Sequence, residues 1–320
     1  MYPIKFQPIL KERLWGGTKL KDVLNKSITS ETTGESWEIS TVSGDISIIA
    51  NGDLCGLSLK ELIENKAVDL LGKSVVDRFG KDFPILIKFI DAKQDLSIQL
   101  HPNDALAKER HNSFGKTEMW YIMDADKDAD LIIGFNKDVT KETYAENMKN
   151  NTLLELLNYE KVKEGDTFFI KTGKIHAIGD GVLLAEIQQT SDVTYRVFDF
   201  NRKDKEGKYR ELHTELALDA IDYERKDDFI VNYETKSDRV NAMVDCAYFK
   251  TNYIELTHTM VQDVSQRDSF TILMCVHGKV TVQNDFGSAT IQKGETILVS
   301  ANSTKIELIT NEAKLLEVTI

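Results

Sequence analysis

Cysteine is scarce in this chain. Cys55, Cys246 and Cys275 stand far apart, with no Cys-x-x-Cys pair. That pattern excludes a disulfide framework and a thiolate metal site, and it fits a reducing, cytoplasmic compartment. Proline is scarce too, at Pro3, Pro8, Pro84 and Pro102. No Pro/Gly/Ser-rich linker stands out, so domain boundaries have to be read from changes in pattern. No apolar run approaches the roughly 18 residues of a membrane helix. The opening MYPIKFQPIL lacks the charged start, long apolar stretch and cleavage site of a secretory signal. Basic charge is also lacking: 40 Lys and Arg face 52 Asp and Glu, a formal net charge of -12. Nucleic-acid binders draw most of their affinity from a basic surface, so neither a nucleic-acid nor a membrane partner is expected. An acidic chain that binds a small phosphorylated molecule needs Lys and Arg clustered locally inside a pocket.

The 320 residues are enough for two domains or one large one. Helical patterns are few. Residues 58–80 carry a capping-box pattern at Ser58 and Glu61 ahead of apolar residues at helical spacing. Residues 103–111 read as a short helix capped by Asn103. Residues 140–158 read as helical, with a second box pattern at Thr152 and Glu155, and 211–222 is a fourth candidate. Most of the rest reads as short strands between turns: 84–91, 96–101, 118–123, 166–170, 182–188 and 193–200. From about residue 245 onward the chain is almost wholly strand-like, as in a small sandwich or barrel. A weak repeat aligns EGDTFFIKTGKIH (164–176) with KGETILVSANSTK (293–305), placing His176 opposite Lys305.

The chemistry concentrates in three segments. In DLSIQLHPND (95–104), strand alternation turns Leu96, Ile98 and Leu100 one way and Ser97, Gln99 and His101 the other. Such a polar face needs partners if it is buried. In GKTEMWYIM (115–123), Glu118 shares a face with Trp120 and Ile122, and Lys116 precedes it on the same side. In KTGKIHAIG (171–179), His176 follows a glycine turn. Gln99, His101, Glu118 and His176 offer two imidazoles, a carboxylate and an amide oxygen. That sulfur-free set suits zinc, and equally iron, manganese or cobalt. His111, His213, His258 and His277 have no such context and read as ordinary surface or packing residues.

These segments, with LWGG (14–17), ESWEIS (35–40) and EIQQTSDVTYRVFDFNR (186–202), resemble type I phosphomannose isomerases over about residues 6–215. The resemblance implies a mainly β chain of two cupin (jelly-roll) barrels, with a few helices inserted in or flanking the first. A catalytic domain would span 1–240 and a cupin-like domain lacking metal ligands 241–320. One zinc ion per chain would be held by Gln99, His101, Glu118 and His176. Arg196, Lys116 and Glu186 are the implied catalytic residues, and Ser97, Lys116, Arg196 and Arg202 the substrate contacts. The implied reaction interconverts mannose 6-phosphate and fructose 6-phosphate through a cis-enediolate. Glu186, Lys116 and a metal-bound water are all candidates for the base. The expected partner is a small sugar phosphate, and a monomer is expected.

The chain departs from the family pattern in places. It has Arg202 where some members have Lys, Lys171 where Pro is frequent, and Gly115 where some members have His. Two other readings compete: another metal-dependent cupin enzyme such as an oxygenase, against which Gln99 counts, and a sugar-phosphate-binding protein without turnover.

Overall fold

The computed structural model describes residues 1–204 and 206–320. The chain is mainly β. A six-stranded antiparallel sheet runs in the order Ile9–Gly17, Thr33–Ile39, Ile85–Ala92, Val182–Gln189, Glu118–Ala125 and Thr167–Ile170. A five-stranded sheet faces it, in the order Tyr195–Phe198, Ile98–Leu100, His176–Ile178, Asp130–Phe135 and Leu157–Lys161. Side chains from both sheets share one apolar cluster, in which Ile90, Trp120 and Leu184 meet Leu131, Ile133 and Ile178. This is the jelly-roll packing of a cupin.

The first sheet is buried on both faces. Its other side presents Ile85, Ile87, Phe89, Met119, Tyr121, Ala185 and Ile187. These pack against Leu59, Leu62, Leu70 and Val75 and against Tyr253, Ile272, Leu298 and Leu316 of the C-terminal strands. Burial on both faces explains why PILIKFID is apolar at successive positions on either side of Lys88. The C-terminal strands, from Arg239–Asp245 to Ala313–Thr319, form an eight-stranded antiparallel set. The N-terminus joins them through a bridge between Ile4 and Leu298.

The helices follow their caps. Ser58 and Glu61 close a reciprocal capping box ahead of Leu59–Leu71. The segment expected as one helix over 58–80 is two, Leu59–Leu71 and Lys73–Phe79, because Gly72 takes φ +94 between them. A Cβ at Gly72 would lie 2.4 Å from the Asp268 carbonyl oxygen, so the break is also where the C-terminal strands press in. Asn103 caps Asp104–His111, as its position suggests. The 140–158 pattern holds only over Lys141–Lys149, followed by a 3-10 turn at Leu153–Leu156 and a strand at Leu157–Lys161. Thr152 caps nothing; its hydroxyl donates to Asn147 Oδ1 at 2.8 Å. The last candidate shortens to Thr214–Leu218. Among the described residues, no helix is long and apolar enough to cross a membrane.

The weak repeat is visible in the backbone. Gly165 and Gly294 take φ +90 and +86, and each turns the chain into a strand. His176 and Lys305 each open a later strand.

Candidate active site

Two cross-strand rows face each other between the sheets. In antiparallel pairs, directly opposed residues point to the same face. On the five-stranded sheet, Arg196 opposes Gln99 and Gln99 opposes His176. On the six-stranded sheet, Trp37 opposes Lys88, Lys88 opposes Glu186 and Glu186 opposes Trp120. Register therefore assembles one site from strands far apart in sequence. A cavity of about 590 Å³ lies between the rows, lined among others by Glu35, Lys88, Gln99, Lys116, Glu186 and Arg196.

His101, Glu118 and His176 converge in the floor, all fully buried, with one donor atom of each within 4.8 Å of the others. His101 Nδ1 lies 2.8 Å from the Val193 carbonyl, and His176 Nδ1 lies 2.8 Å from the Lys174 carbonyl. A carbonyl only accepts, so each Nδ1 carries a proton and each Nε2 is left facing the cavity floor. Both Nε2 atoms point at Glu118 Oε1, at 3.1 and 3.2 Å. Among the described residues, Glu118 Oε1 and His176 Nε2 have no hydrogen-bond partner, and Glu118 Oε2 has only the Lys116 ammonium near it, at 3.1 Å. Buried acceptors aimed at one another are costly unless a cation sits among them. Burial, reinforced by the charge of Lys116, pushes the His101 pKa down to about 3, so it stays neutral and ready to ligate. Burial alone would raise Glu118, but the Lys116 ammonium holds it well below the usual carboxylate range. This donor set fits a divalent metal. Gln99 lines the same cavity, with Ser97 Oγ 3.3 Å from its Oε1.

The charged walls are ordered by pairing. Lys116 Nζ lies 3.1 Å from Glu118 Oε2 and 3.1 Å from His101 Nε2. Burial works against its charge, but Glu118 and Glu186 overcome it and hold the pKa above the ordinary lysine value. Lys88 donates to Gln188 at 2.7 Å and to Glu186 at 3.2 Å. Glu186 is pushed up to about 7 by burial; Lys88 opposes that rise and Glu118 adds to it. Arg196 donates from Nε to Ser97 Oγ at 3.2 Å and from Nη1 to the Glu211 carbonyl at 3.0 Å.

The chain is a type I phosphomannose isomerase by descent. The family "Phosphomannose isomerase type I, catalytic domain" matches residues 4–133, and "Mannose-6-phosphate isomerase, cupin domain" matches 239–319. Mannose-6-phosphate isomerase ManA of Bacillus subtilis is 40% identical over 280 residues, covering 87% of this chain and 86% of that protein. A mannose-6-phosphate isomerase of Streptococcus mutans is 39% identical over 219 residues, covering 68% of this chain and 67% of its own length. The crystal structure of mannose 6-phosphate isomerase from B. subtilis superposes with a TM-score of 0.90 at 32% identity, over 100% of both chains.

Of the residues expected at a phosphomannose isomerase site, Ser97, Gln99, Lys116, His176, Glu186 and Arg196 line the cavity, and His101 and Glu118 complete its floor. Arg202 does not line it. Its guanidinium is held by Asp199, at 2.6 Å, and by the Asp95 carbonyl. Arg210 takes the place on the cavity wall, braced by the same Asp199 carboxylate.

Lys88, Glu35, Trp37 and Arg13 also line the cavity and are not among the expected site residues, although Glu35 and Trp37 stand in the ESWEIS motif. Glu35 accepts from Trp37 Nε1 at 2.7 Å and from Arg13 Nη2 at 2.9 Å. The available signal for Lys88 is a single charge in the middle of an apolar strand, which must be paired when buried. His213, which reads from sequence as an ordinary packing residue, accepts from the Arg196 backbone amide at 3.1 Å and so braces that strand.

Proposed function

We propose that this phosphomannose isomerase interconverts mannose 6-phosphate and fructose 6-phosphate, using one zinc ion held by Gln99, His101, Glu118 and His176. The observation that carries the reading is the pair of imidazole rings converging on a buried carboxylate in the floor of a cavity whose wall includes Lys88, Lys116, Arg196 and Arg210. The metal, when bound, supplies Lewis-acid stabilisation of the oxyanion that develops as the C2 proton leaves.

The chain's own residues divide the remaining work. Lys116 stays protonated, so it serves as a fixed positive charge beside the developing enediolate. That state makes it a poor base. Glu186 faces the cavity with a pKa of about 7, where a carboxylate can take a proton and return it near neutrality. Lys88 orients it. Arg196, oriented by Ser97, is permanently charged and recognises the dianionic end of the substrate, with Arg210 beside it. Arg202 acts through Asp199, which it shares with Arg210.

We divide the chain near residue 240. Residues 1–240 carry the site, and 241–320 form the second cupin unit. A cytoplasmic monomer with the free thiols of Cys55, Cys246 and Cys275 completes the reading. The deciding experiment is a coupled assay of fructose 6-phosphate formed from mannose 6-phosphate, with bound zinc quantified before and after chelation. Turnover that is lost with the metal and restored by zinc supports the proposal. Folded, zinc-loaded protein without turnover refutes it and favours a sugar-phosphate-binding role.

A further inference from the structure

The second cupin unit reaches the metal-binding strand of the first through a short polar chain. Tyr248 sits in the turn between the strands Arg239–Asp245 and Lys250–Leu256. Its hydroxyl donates to Asp104 Oδ2 at 2.6 Å. Asp104 lies three residues after His101, at the start of the helix that Asn103 caps. Its Oδ1 accepts from the Gly115 amide at 2.8 Å and from Gln189 Nε2 at 3.0 Å. Gln189 Oε1 in turn accepts from the Thr117 amide at 2.8 Å. The backbone on both sides of Lys116 is therefore held by one carboxylate and one amide, and the carboxylate is held by Tyr248. Gly115 allows this approach: a Cβ there would lie 2.8 Å from the Asp104 amide nitrogen. A second contact follows two residues on. Thr251 Oγ1 donates to Met119 Sδ at 2.9 Å, next to Glu118.

The geometry points to Tyr248 as a positioning residue: the metal-free cupin unit clamps the Lys116–Glu118 segment through Asp104, setting the placement of two charges at the metal site. A single carboxylate ties the segment after His101 to the segment before Glu118. The distance between these two ligands then depends on a group from outside the catalytic unit. The contact is short and part-buried, so removing the hydroxyl leaves Asp104 with one fewer donor and frees the loop around Gly115. A second role follows for a unit that otherwise only covers the outer face of the six-stranded sheet.

The test compares Tyr248→Phe, which keeps the ring, with Asp268→Ala. Asp268 joins the two units elsewhere, accepting from the Lys73 and Ser74 amides at 2.6 and 2.8 Å. Amide hydrogen exchange at Gly115 and Thr117 is measured in the full chain, together with the rate at which bound zinc is lost to a chelator, kcat and KM. Partners that orient a metal ligand typically change affinity 10- to 100-fold. One step further out, Tyr248→Phe is expected to speed zinc loss and lower kcat by about three- to tenfold, with KM within about twofold. Exchange at Gly115 and Thr117 rises with it, and Asp268→Ala moves none of these. Unchanged exchange in Tyr248→Phe, or an equal change in Asp268→Ala, overturns the clamp. The kinetic arm rests on the zinc-isomerase reading. If the parent chain holds no zinc and turns nothing over, that reading fails, and the exchange data still decide the clamp.

Discussion

The Nε2 of His176 lies 3.2 Å from Oε1 of Glu118, and neither atom has a hydrogen-bond partner among the described residues. The ring's Nδ1 donates to the Lys174 carbonyl, which leaves Nε2 turned toward the carboxylate. Glu118 is ionised, held so by Lys116 against the penalty of burial. Two acceptors at this separation repel unless a cation lies between them. The site is thus built at a cost in stability that a bound divalent metal would reverse.

Stripping the metal should accordingly destabilise the fold as well as abolish turnover. A metal bound only by the native state stabilises it by mass action. The midpoint of thermal unfolding is expected to fall on chelation and to recover when zinc is added back. In His176→Gln the chelator should have little further effect, because the amide cannot replace the imidazole in this geometry. A chelator-induced fall of equal size in the parent and the variant would place the metal elsewhere.

Arg196 should not tolerate lysine. Its Nε and Nη1 are both engaged, on Ser97 and on the Glu211 carbonyl. A lysine ammonium cannot reproduce that fork. Arg196→Lys is expected to lower kcat/KM by about 10- to 100-fold while zinc content stays at the parent level. Steady-state kinetics on metal-quantified protein checks this. A variant that loses zinc in proportion to its activity would argue for a structural role.

Much of this site was legible because strand alternation is local. Ser97, Gln99 and His101 share a face whatever the sheet does next, and a polar face of that kind demands partners. Asn103 and Ser58 were legible for the same reason: a cap needs only its own first turn. Lys88 was hidden, because its partners Glu186 and Gln188 lie about a hundred residues away and only register brings them together. The strand at Leu157–Lys161 hid behind a helical pattern that tertiary pairing with Asp130–Phe135 overrides. Arg202 and Arg210 compete for Asp199, and spacing alone does not say which of the two faces the cavity.

The capping box at Ser58 should contribute measurably to stability. Its hydroxyl accepts from the Glu61 amide at 3.2 Å, and Glu61 Oε2 accepts from the Ser58 amide at 2.9 Å. The helix it opens covers the outer face of the six-stranded sheet with Leu62, Ile63 and Leu70. Ser58→Ala is expected to cost about 1 kcal/mol in urea unfolding, and Ser58→Thr, which keeps the hydroxyl that also donates to Glu61 Oε2, much less. Equal losses in the two variants would show that packing, not capping, sets the effect.

Asp91 should make the fold less stable as pH rises from about 4 to 6. It is buried on the strand Ile85–Ala92, where its Oδ2 accepts from the Lys19 amide at 2.7 Å and caps the short helix Lys19–Asp22. Burial pushes its pKa up to about 6, against the opposing pull of the Lys19 amide and ammonium. Between the unfolded value of about 3.9 and the folded value, the native state holds a proton that the unfolded chain has released. Stability contributed by this group is therefore full below about pH 4, falls as pH rises, and is gone above the folded pKa. The total is on the order of 3 kcal/mol. In Asp91→Asn the amide oxygen still accepts from Lys19, and nothing titrates. Urea unfolding of both proteins at pH 4, 5, 6 and 7 should show the parent losing ground to the variant across the first three points and holding a constant gap beyond. Parallel curves at every pH would mean that Asp91 titrates near its unfolded value and that the Lys19 amide outweighs burial.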